Sequence, residues 1–369
     1  MQQPDQLKYQ IGIGLIPKIG PAHAKKLIAY TGSAEAVFHE KSSALEKIPG
    51  IGSLLAEQIT SANVLGRAED EIKFILDNHI EYLFYLDENF PYRLKECEDG
   101  PILFFFKGKL DFNARKVISI VGTRRPTAYG KLMVKELIHG LEELGHNPLI
   151  VSGLAFGIDI QAHKYSLECN FPTIGVLAHG LDRIYPAEHK EAARQMIQHG
   201  AVLTEFLSFT NPDPQNFVKR NRIIAGLSDA TIVIESGPKG GSLITADIAN
   251  SYNRDVFAFP GRAKDEMSLG CNALIQENKA MMLRNAADFE LAMGWQIDHK
   301  KKIIQTKLFH ELSDQEKLII EKLREQNDLQ VDTLAMKVNF PISVLNAILL
   351  QLEFSGILQV LPGKIIRLL

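Results

Sequence analysis

A mainly parallel, doubly wound α/β sheet is the fold class that the sequence predicts. Apolar runs of strand length recur between residues 117 and 283, helical segments separate them, and glycine turns follow several of the runs. Strands that are apolar throughout are typical of a sheet covered by helices on both faces. The predicted strands are Val117–Gly122, Pro148–Gly153, Thr173–Leu177, Val202–Glu205, Thr231–Glu235, Val256–Phe259 and Met281–Leu283, with helices such as Thr127–Leu144 and Glu188–His199 between them.

Bulk composition narrows the class of protein. The 369 residues are 46% hydrophobic and 23% charged, with a net charge of −3, so a site for an acidic partner must be a local basic patch. Cys97, Cys169 and Cys271 are far apart and form no C-x-x-C, which favours a reducing cytoplasm and predicts no zinc site. The N-terminal residues show no signal-peptide pattern and no apolar run reaches membrane-spanning length. We expect a cytoplasmic protein with no membrane partner.

Residues 1–78 predict a small helical domain with an internal repeat. Ile16–Gly20 and Ile48–Gly52 share an h-P-x-h-G pattern at an offset of 32 residues. The pattern resembles the helix-hairpin-helix (SAM-like) motif, whose glycine amides can hold a DNA phosphate at a helix start. Lys25 and Lys26 follow the first copy, whereas no Lys or Arg follows the second over Ser53–Ala62. DNA contact and plain helical packing therefore both remain open.

The second predicted domain covers residues 79–296 and begins with an irregular segment. Within it, the apolar run Pro101–Gly108 predicts a strand at a pairing edge of the sheet. Residues 297–307 contain His299-Lys300-Lys301-Lys302 and read as a linker.

Residues 308–369 predict a winged-helix-like domain. Helical patterns at Asp314–Arg324, Val331–Val338 and Ile342–Glu353 precede a hairpin of Ile357–Val360 and Ile365–Leu368. The third helix contains no Lys or Arg, and the domain has six basic against eight acidic residues. Such a domain is a poor reader of duplex DNA, so we expect protein contact, self-association or structural support.

The segment Asn216–Ala246 carries the clearest site signal. A basic helix leads into the apolar strand Ala230–Glu235, and a Gly-Pro-Lys-Gly-Gly-Ser turn then opens another helix. A strand, glycine turn and helix start present backbone N–H groups and a helix-dipole N-terminus to an anion. Glycine turns with basic or hydroxyl residues also follow the strands ending near Gly122 and Gly153. Three such turns at one sheet edge predict a groove that can follow several phosphates.

Catalytic signatures are weaker. The sequence contains no G-x-G-x-x-G turn after the first strand, no Walker motif and no metal-spaced cluster, so we expect neither a nucleotide cofactor nor a metal. Asp159 and His163 stand at i and i+4 and could form an acid/base pair, although Asp159 is better explained as a helix cap. We expect the site to bind rather than to cut.

Several blocks together resemble the DprA/Smf (DNA processing protein A) family over almost the full length of the chain. They are Val121–Arg124, Val151–Asp159 with Ala162-His163, Gly180–Asp182 with Tyr185-Pro186, Arg220–Ser228, Gly237–Ala246, Phe259–Gly261 and Gly270–Ile275. The resemblance implies an extended Rossmann domain, a homodimer, and a recombination mediator that protects incoming single-stranded DNA. It further implies loading of RecA recombinase past single-strand-binding protein during natural transformation and homologous recombination.

Carried onto this sequence, the resemblance makes Arg124 and Lys239 the main phosphate contacts. The other residues expected to line the same groove are Gly122, Thr123, Ser152, Gly153, Lys219, Arg220, Asn221, Arg222, Gly240, Gly241, Ser242 and Asn272. The alternative is an enzyme similar to the lysine-decarboxylase-like nucleotide phosphoribohydrolases. Their P-G-G-x-G-T-x-x-E turn supplies a catalytic glutamate, and Ala246 stands at that position here. The hydrolase interpretation therefore lacks its general acid/base.

Overall fold

The computed structural model describes residues 4–296, 313–326, 328–355, 357–361 and 365–368. The chain separates into two compact units, Met1–Trp295 and Gln296–Leu369. The predicted linker 297–307 and the hairpin residues 362–364 lie outside the described residues.

Within the described residues, the first unit contains nine strands that form one sheet in the order β1-β2-β6-β5-β4-β3-β7-β8-β9. The pairs from β6 across to β9 are parallel, whereas β1–β2 and β2–β6 are antiparallel. The strands are β1 Glu81–Phe84, β2 Leu103–Gly108, β3 Val117–Val121, β4 Leu149–Ser152, β5 Thr173–Val176, β6 Gly200–Thr204, β7 Ala230–Val233, β8 Asp255–Ala258 and β9 Met281–Met282. The predicted fold class, a mainly parallel α/β sheet, is confirmed.

Helices follow most of the parallel strands. They are α7 Tyr92–Lys95, α8 Ala128–Glu143, α9 Ile158–Glu168, α10 Lys190–His199, α11 Pro214–Leu227, α12 Gly241–Ser251, α13 Leu269–Gln276 and α14 Ala286–Ala292. Successive residues of β3 enter two separate cores: Ile120 packs with α8 and α9, and Val121 packs with α11 and α12. This alternation shows why the central strands are apolar throughout, because both faces are covered.

The expected edge position of the 101–108 run is wrong. β2 pairs with β6 on one side and with β1 on the other, so β1 forms the edge. Strand β1 was not predicted, because its sequence Glu-Tyr-Leu-Phe places only one fully buried residue, Phe84, at its end.

The N-terminal helices pack on this antiparallel end of the sheet. They are α1 Pro4–Leu15, α2 Pro21–Thr31, α3 Ala34–His39, α4 Ser42–Leu45, α5 Ser53–Thr60 and α6 Leu65–Asp77. Their core includes Ile19 and Ile51 from the two repeat copies and Phe105 from β2. One hydrophobic core thus includes residues of both the N-terminal helices and the sheet. The domain boundary near residue 78 stays a prediction.

A second contact joins α6 to the loop between β6 and α11. The buried Glu71 carboxylate accepts hydrogen bonds from Ser208 N at 2.9 Å and Ser208 Oγ at 2.5 Å, and Arg67 donates to Ser208 O at 2.8 Å. Phe74 packs against Phe209 at 5.9 Å between ring centroids. The loop that leads into α11 is thus fixed from outside the sheet.

The second unit has the predicted winged-helix layout. Its elements are α15 Asp314–Glu325, β10 Leu329–Gln330, α16 Val331–Val338, α17 Ile342–Phe354, β11 Leu358–Leu361 and β12 Ile365–Leu368. Ser313 and Glu316 form a capping box at the start of α15. No single helix of the described residues is long and apolar enough to cross a membrane; the pair α16 and α17, bent by 107°, meets that test only jointly, by length and composition.

Candidate functional site

A cleft of about 760 Å³ opens at the carboxyl ends of β3 and β7. Nine of the predicted site residues contribute to its lining: Gly122, Thr123, Arg124, Arg220, Asn221, Lys239, Gly240, Gly241 and Ser242. Parallel strands end at the same edge of a sheet, which is why turns separated by more than a hundred residues meet here.

The N-terminus of α12 forms one wall of the cleft. Gly240 is the N-cap residue and supplies no side-chain hydrogen bond to the first turn. A β-carbon on Gly240 would lie 2.2 Å from Ser236 Oγ, so a larger residue there would require the Ser236 hydroxyl to move. Ser242 Oγ donates to Ser236 Oγ at 2.9 Å, which joins the helix start to the preceding turn. The first-turn amides and the helix dipole make this wall suitable for an anion.

Arg124 and Lys239 are the exposed cations of the cleft. Neither forms an ion pair within the part of the chain that the structure describes. The Arg124 guanidinium lies over the Phe217 ring at 4.9 Å, which holds its flat face beside the cleft. Both side chains therefore retain hydrogen-bonding groups for a ligand.

Two aromatic residues of the cleft were absent from the predicted site. Phe217 of α11 and Tyr185 both line it, and their rings meet edge to face with centroids 6.3 Å apart. Tyr185 is 47% exposed. The sequence signal was an aromatic residue beside the basic run of α11, but the pairing with Tyr185 arises only from the tertiary fold. An exposed and a half-buried ring next to cations suit bases together with phosphates.

Arg220 lies at the back of the cleft and is only 3% exposed. Its Nη1 donates to Gly153 O at 2.6 Å and to Val176 O, so it joins the turn after β4 to the end of β5. Burial lowers the pKa of Arg220 to about 10, an effect that Asp159 partly offsets. The guanidinium therefore organises the cleft floor from within the protein.

Asp159 and His163 are buried beside Arg220. The helix cap is Gly157 and not Asp159, so the predicted cap role is wrong. Burial raises the pKa of the Asp159 carboxyl, while Arg220 and a hydrogen bond from the backbone of Ala155 act to lower it. His163 Nδ1 lies 2.7 Å from Thr173 Oγ1, and burial together with His189 and Arg220 lowers its pKa to about 3. The Asp159 carboxyl reaches the cleft lining and is 8% exposed, whereas His163 is fully buried. The acid/base interpretation is without support because the imidazole has no access to the cleft.

Five predicted site residues do not line the cleft: Ser152, Gly153, Lys219, Arg222 and Asn272. Ser152 Oγ donates to Ile120 O at 2.6 Å inside the sheet. Arg222 donates to Asp99 O at 2.6 Å and pairs with the Glu205 carboxylate. Asn272 exchanges two hydrogen bonds of 3.1 Å with the backbone of Gly261. Lys219 is exposed on α11.

The position that a phosphoribohydrolase requires for catalysis is apolar here. Ala246 is fully buried in the core between α12 and the sheet. The nearby Glu235 is also buried, and its carboxylate accepts from Thr127 N at 2.9 Å and Thr127 Oγ1 at 2.5 Å. That carboxylate supports the start of α8 and has no free approach to the cleft.

The cations of the first helix-hairpin-helix copy bind protein carbonyls. Lys25 Nζ donates to Cys97 O at 2.9 Å and Glu98 O at 3.2 Å, and Lys26 Nζ donates to Pro49 O at 2.9 Å. The last bond joins the first repeat copy to the second. These contacts favour the packing interpretation of the repeat.

Comparison with known proteins decides the family. The model of the DNA recombination-mediator protein A family matches residues 81–294, and the model of the DprA winged helix domain matches residues 309–364. The chain belongs to the DNA recombination-mediator protein A family. The predicted DprA/Smf resemblance is thereby confirmed, and the second match agrees with the winged-helix layout.

Individual relatives agree with this assignment. Protein Smf of Synechocystis is 34% identical over 74% of this chain and 70% of its own length. DNA processing protein DprA of Bacillus subtilis is 42% identical over 52% of this chain and 64% of its own length.

Two solved structures of the family are also similar. DprA from Streptococcus pneumoniae has a TM-score of 0.65 and 31% identity, covering 79% of this chain and 98% of that one. DNA processing protein A from Helicobacter pylori has a TM-score of 0.53 and 29% identity, covering 58% and 96%. The latter structure is described as giving insight into a single-stranded DNA binding mode.

Proposed function

We propose that this recombination mediator binds single-stranded DNA in the cleft between α11 and α12. The observation that carries the proposal is the pair of exposed cations, Arg124 and Lys239, in a cleft that also contains a helix N-terminus and two aromatic rings. Cations and amides suit phosphates, and aromatic faces suit unpaired bases. The description of the Helicobacter pylori relative supports the same ligand.

Each group has a specific role in this proposal. Arg124 and Lys239 contact successive phosphates, and the amides at the start of α12 hold one phosphate between them. Phe217 and Tyr185 stack on bases, which are exposed only in a single strand. Arg220 positions the floor and does not contact DNA. Binding without catalysis is part of the proposal, because Ala246 stands where a phosphoribohydrolase has its catalytic glutamate.

The wider role follows from the family. We propose that a homodimer protects incoming single strands and loads RecA recombinase onto them past single-strand-binding protein. The cytoplasm, where the three cysteines stay reduced, is the proposed compartment.

Oligonucleotide binding measured by fluorescence anisotropy tests the cleft assignment. Arg124→Ala and Lys239→Ala should each weaken binding by about 1–3 kcal/mol, as expected for a charge-assisted contact. Each should also reduce the salt dependence by about 0.7 log units per log unit of salt, the value for one phosphate. Lys164→Ala is the matched control, because Lys164 is an exposed cation of α9 outside the cleft lining.

The result that would overturn the assignment is parent-like affinity of both variants, or an equal loss in the control. A preference for mononucleotides over oligonucleotides, with release of free base, would instead favour the hydrolase.

A further inference from the structure

A second group of chemically active side chains lies away from the cleft, where α8 and α9 end. His139 and Glu142 come from α8, and Cys169 follows the last residue of α9. One donor atom from each of the three lies within 4.8 Å of the other two. An imidazole, a carboxylate and a thiol in one place form a ligand set that Zn²⁺ and similar ions accept.

The spacing of the donor atoms suits one shared ion. Cys169 Sγ lies 3.6 Å from His139 Nδ1, and Glu142 Oε2 lies 3.8 Å from the same nitrogen. Typical Zn–N and Zn–S bonds at tetrahedral angles place neighbouring donors roughly 3.3–3.8 Å apart. The two distances from His139 Nδ1 are therefore close to the separation of neighbouring ligands in a tetrahedral site.

The other nitrogen of His139 supplies an independent observation. Nε2 is buried and has no hydrogen-bond partner among the described residues, yet Glu168 Oε2 lies 3.8 Å away. A histidine that binds a metal through one nitrogen commonly donates its other N–H to a carboxylate. Glu168 is placed for that supporting role, and a small closing movement would make the bond.

The positions of His139, Glu142 and Cys169 on two helices explain why they form no recognisable sequence motif. Glu142 follows His139 by three residues, so the two share one face of α8. The thiol arrives from a different helix, 27 residues further along the chain than Glu142. The three side chains can therefore meet at one metal site without a C-x-x-C or H-x-x-x-H spacing in the sequence.

Access and protonation are also compatible with an exchangeable ion. The side chains of His139 and Glu142 are 34% and 48% exposed, which leaves room for entry and for a water ligand. On binding, the S–H bond breaks, the sulfur forms a bond to the metal, and the proton passes to solvent.

We propose that His139, Glu142 and Cys169 bind a divalent ion of the Zn²⁺ type, with Glu168 orienting His139 and water completing the coordination. The ion would tie together the ends of α8 and α9 that lie furthest from the turns of the cleft. It would thus stabilise the fold without touching DNA, and the proposal does not depend on the proposed function.

Cobalt binding to the full-length, untagged and reduced protein provides the test. We expect one equivalent of Co²⁺ to bind after removal of metals by a chelator. A near-ultraviolet thiolate-to-cobalt charge-transfer band should appear, because Cys169 supplies a sulfur ligand. Zn²⁺ should displace Co²⁺, remove the band and raise the midpoint temperature of unfolding.

The cysteine variants decide which thiol is involved. Cys169→Ser should abolish the band, whereas Cys97→Ser and Cys271→Ser should retain it, since those two thiols lie elsewhere in the core. Glu142→Gln changes a half-exposed side chain and keeps its size, and it should weaken Co²⁺ binding at least tenfold. Glu168→Gln should weaken it by roughly ten- to a hundredfold, as an outer partner does.

Absence of the band in the parent protein would overturn the proposal. So would a band that survives Cys169→Ser, or parent-like Co²⁺ affinity in a Glu142→Gln protein with a native circular dichroism spectrum.

Discussion

Arg124 and Lys239 on the glycine turns differ from Arg220 and Arg222 on α11 in their surroundings, although all four carry a positive charge. The turn cations are exposed and have no ion pair within the described residues. The helix cations donate to carbonyls or to the Glu205 carboxylate. The turn cations therefore keep their hydrogen-bonding groups available, whereas the helix cations use theirs to join parts of the protein.

Removing Arg220 should have the largest effect on stability. Arg220→Ala leaves the carbonyls of Gly153 and Val176 without their donor and leaves Asp159 without its nearby cation. Breaking a buried charged interaction of this kind costs about 3–5 kcal/mol. Denaturant unfolding should show that loss, with Arg124→Ala within about 0.5 kcal/mol of the parent. Equal stability of the two variants would erase the distinction between the two groups of cations.

The buried His163 beside Arg220 should make the stability of the protein depend on pH. The folded-state pKa of His163, about 3, lies below its ordinary value of 6.5 because of burial and, to a smaller extent, because of His189 and Arg220. As pH falls below about 6.5, the unfolded chain binds a proton that the folded chain does not. The free energy of unfolding should therefore fall by up to about 1.4 kcal/mol per pH unit between roughly pH 6 and pH 3.

The variant His163→Gln isolates this contribution. Buried carboxyls such as Asp159 have a raised pKa and act in the opposite direction, so the quantity to measure is the difference between parent and variant. That difference should vanish for His199→Gln, which changes an exposed histidine of α10. An identical pH profile for the parent and His163→Gln would show that the buried imidazole is not held neutral.

Phe217 tests whether bases take part in binding. Phe217→Ala removes the proposed stacking surface and the ring under Arg124, and should weaken oligonucleotide binding by about 1–3 kcal/mol. Unlike Arg124→Ala, it should leave the salt dependence nearly unchanged, because no charge is lost. Phe156→Ala is the control, since Phe156 is 44% exposed but outside the cleft lining. Losses of similar size in both variants would point to a general disturbance.

The smallest effect on DNA binding is expected at the first repeat. Lys25→Ala with Lys26→Ala removes two cations that already donate to protein carbonyls. Single-stranded DNA affinity should change by less than about 0.5 kcal/mol, while stability falls by about 0.5–1.5 kcal/mol for each lost hydrogen bond. A loss of affinity as large as that of Lys239→Ala would restore the DNA-contact interpretation of the hairpins.

The sequence predicted the main sheet well because burial on both faces leaves a plain signature, uninterrupted apolar strands such as Val117–Val121. It predicted the glycine turns of the cleft because each of them follows an apolar strand directly, as Gly122 follows Val117–Val121. Strand β1 was not predicted because its four residues, some polar and some apolar, show neither an apolar run nor a clear alternation.

The site was harder to predict where it depends on the direction in which a side chain points. Residues two apart on a helix point to nearly opposite sides, so Arg220 and Arg222 could not both face one groove. That argument was available from the sequence. The pairing of Phe217 with Tyr185 was not, because it depends on how the chain between them folds. Nor could the sequence show that Lys25 and Lys26 meet carbonyls from distant segments.

The bond between Glu71 and Ser208 has a consequence for how far this chain could be shortened. The loop it secures carries Pro212 and Pro214 into α11, and both prolines line the cleft. A fragment that begins after α6 would retain Arg124, Lys239 and every glycine turn, yet would lose the support behind that loop. We therefore expect a fragment without α6 to hold this wall of the cleft less firmly than the full chain does.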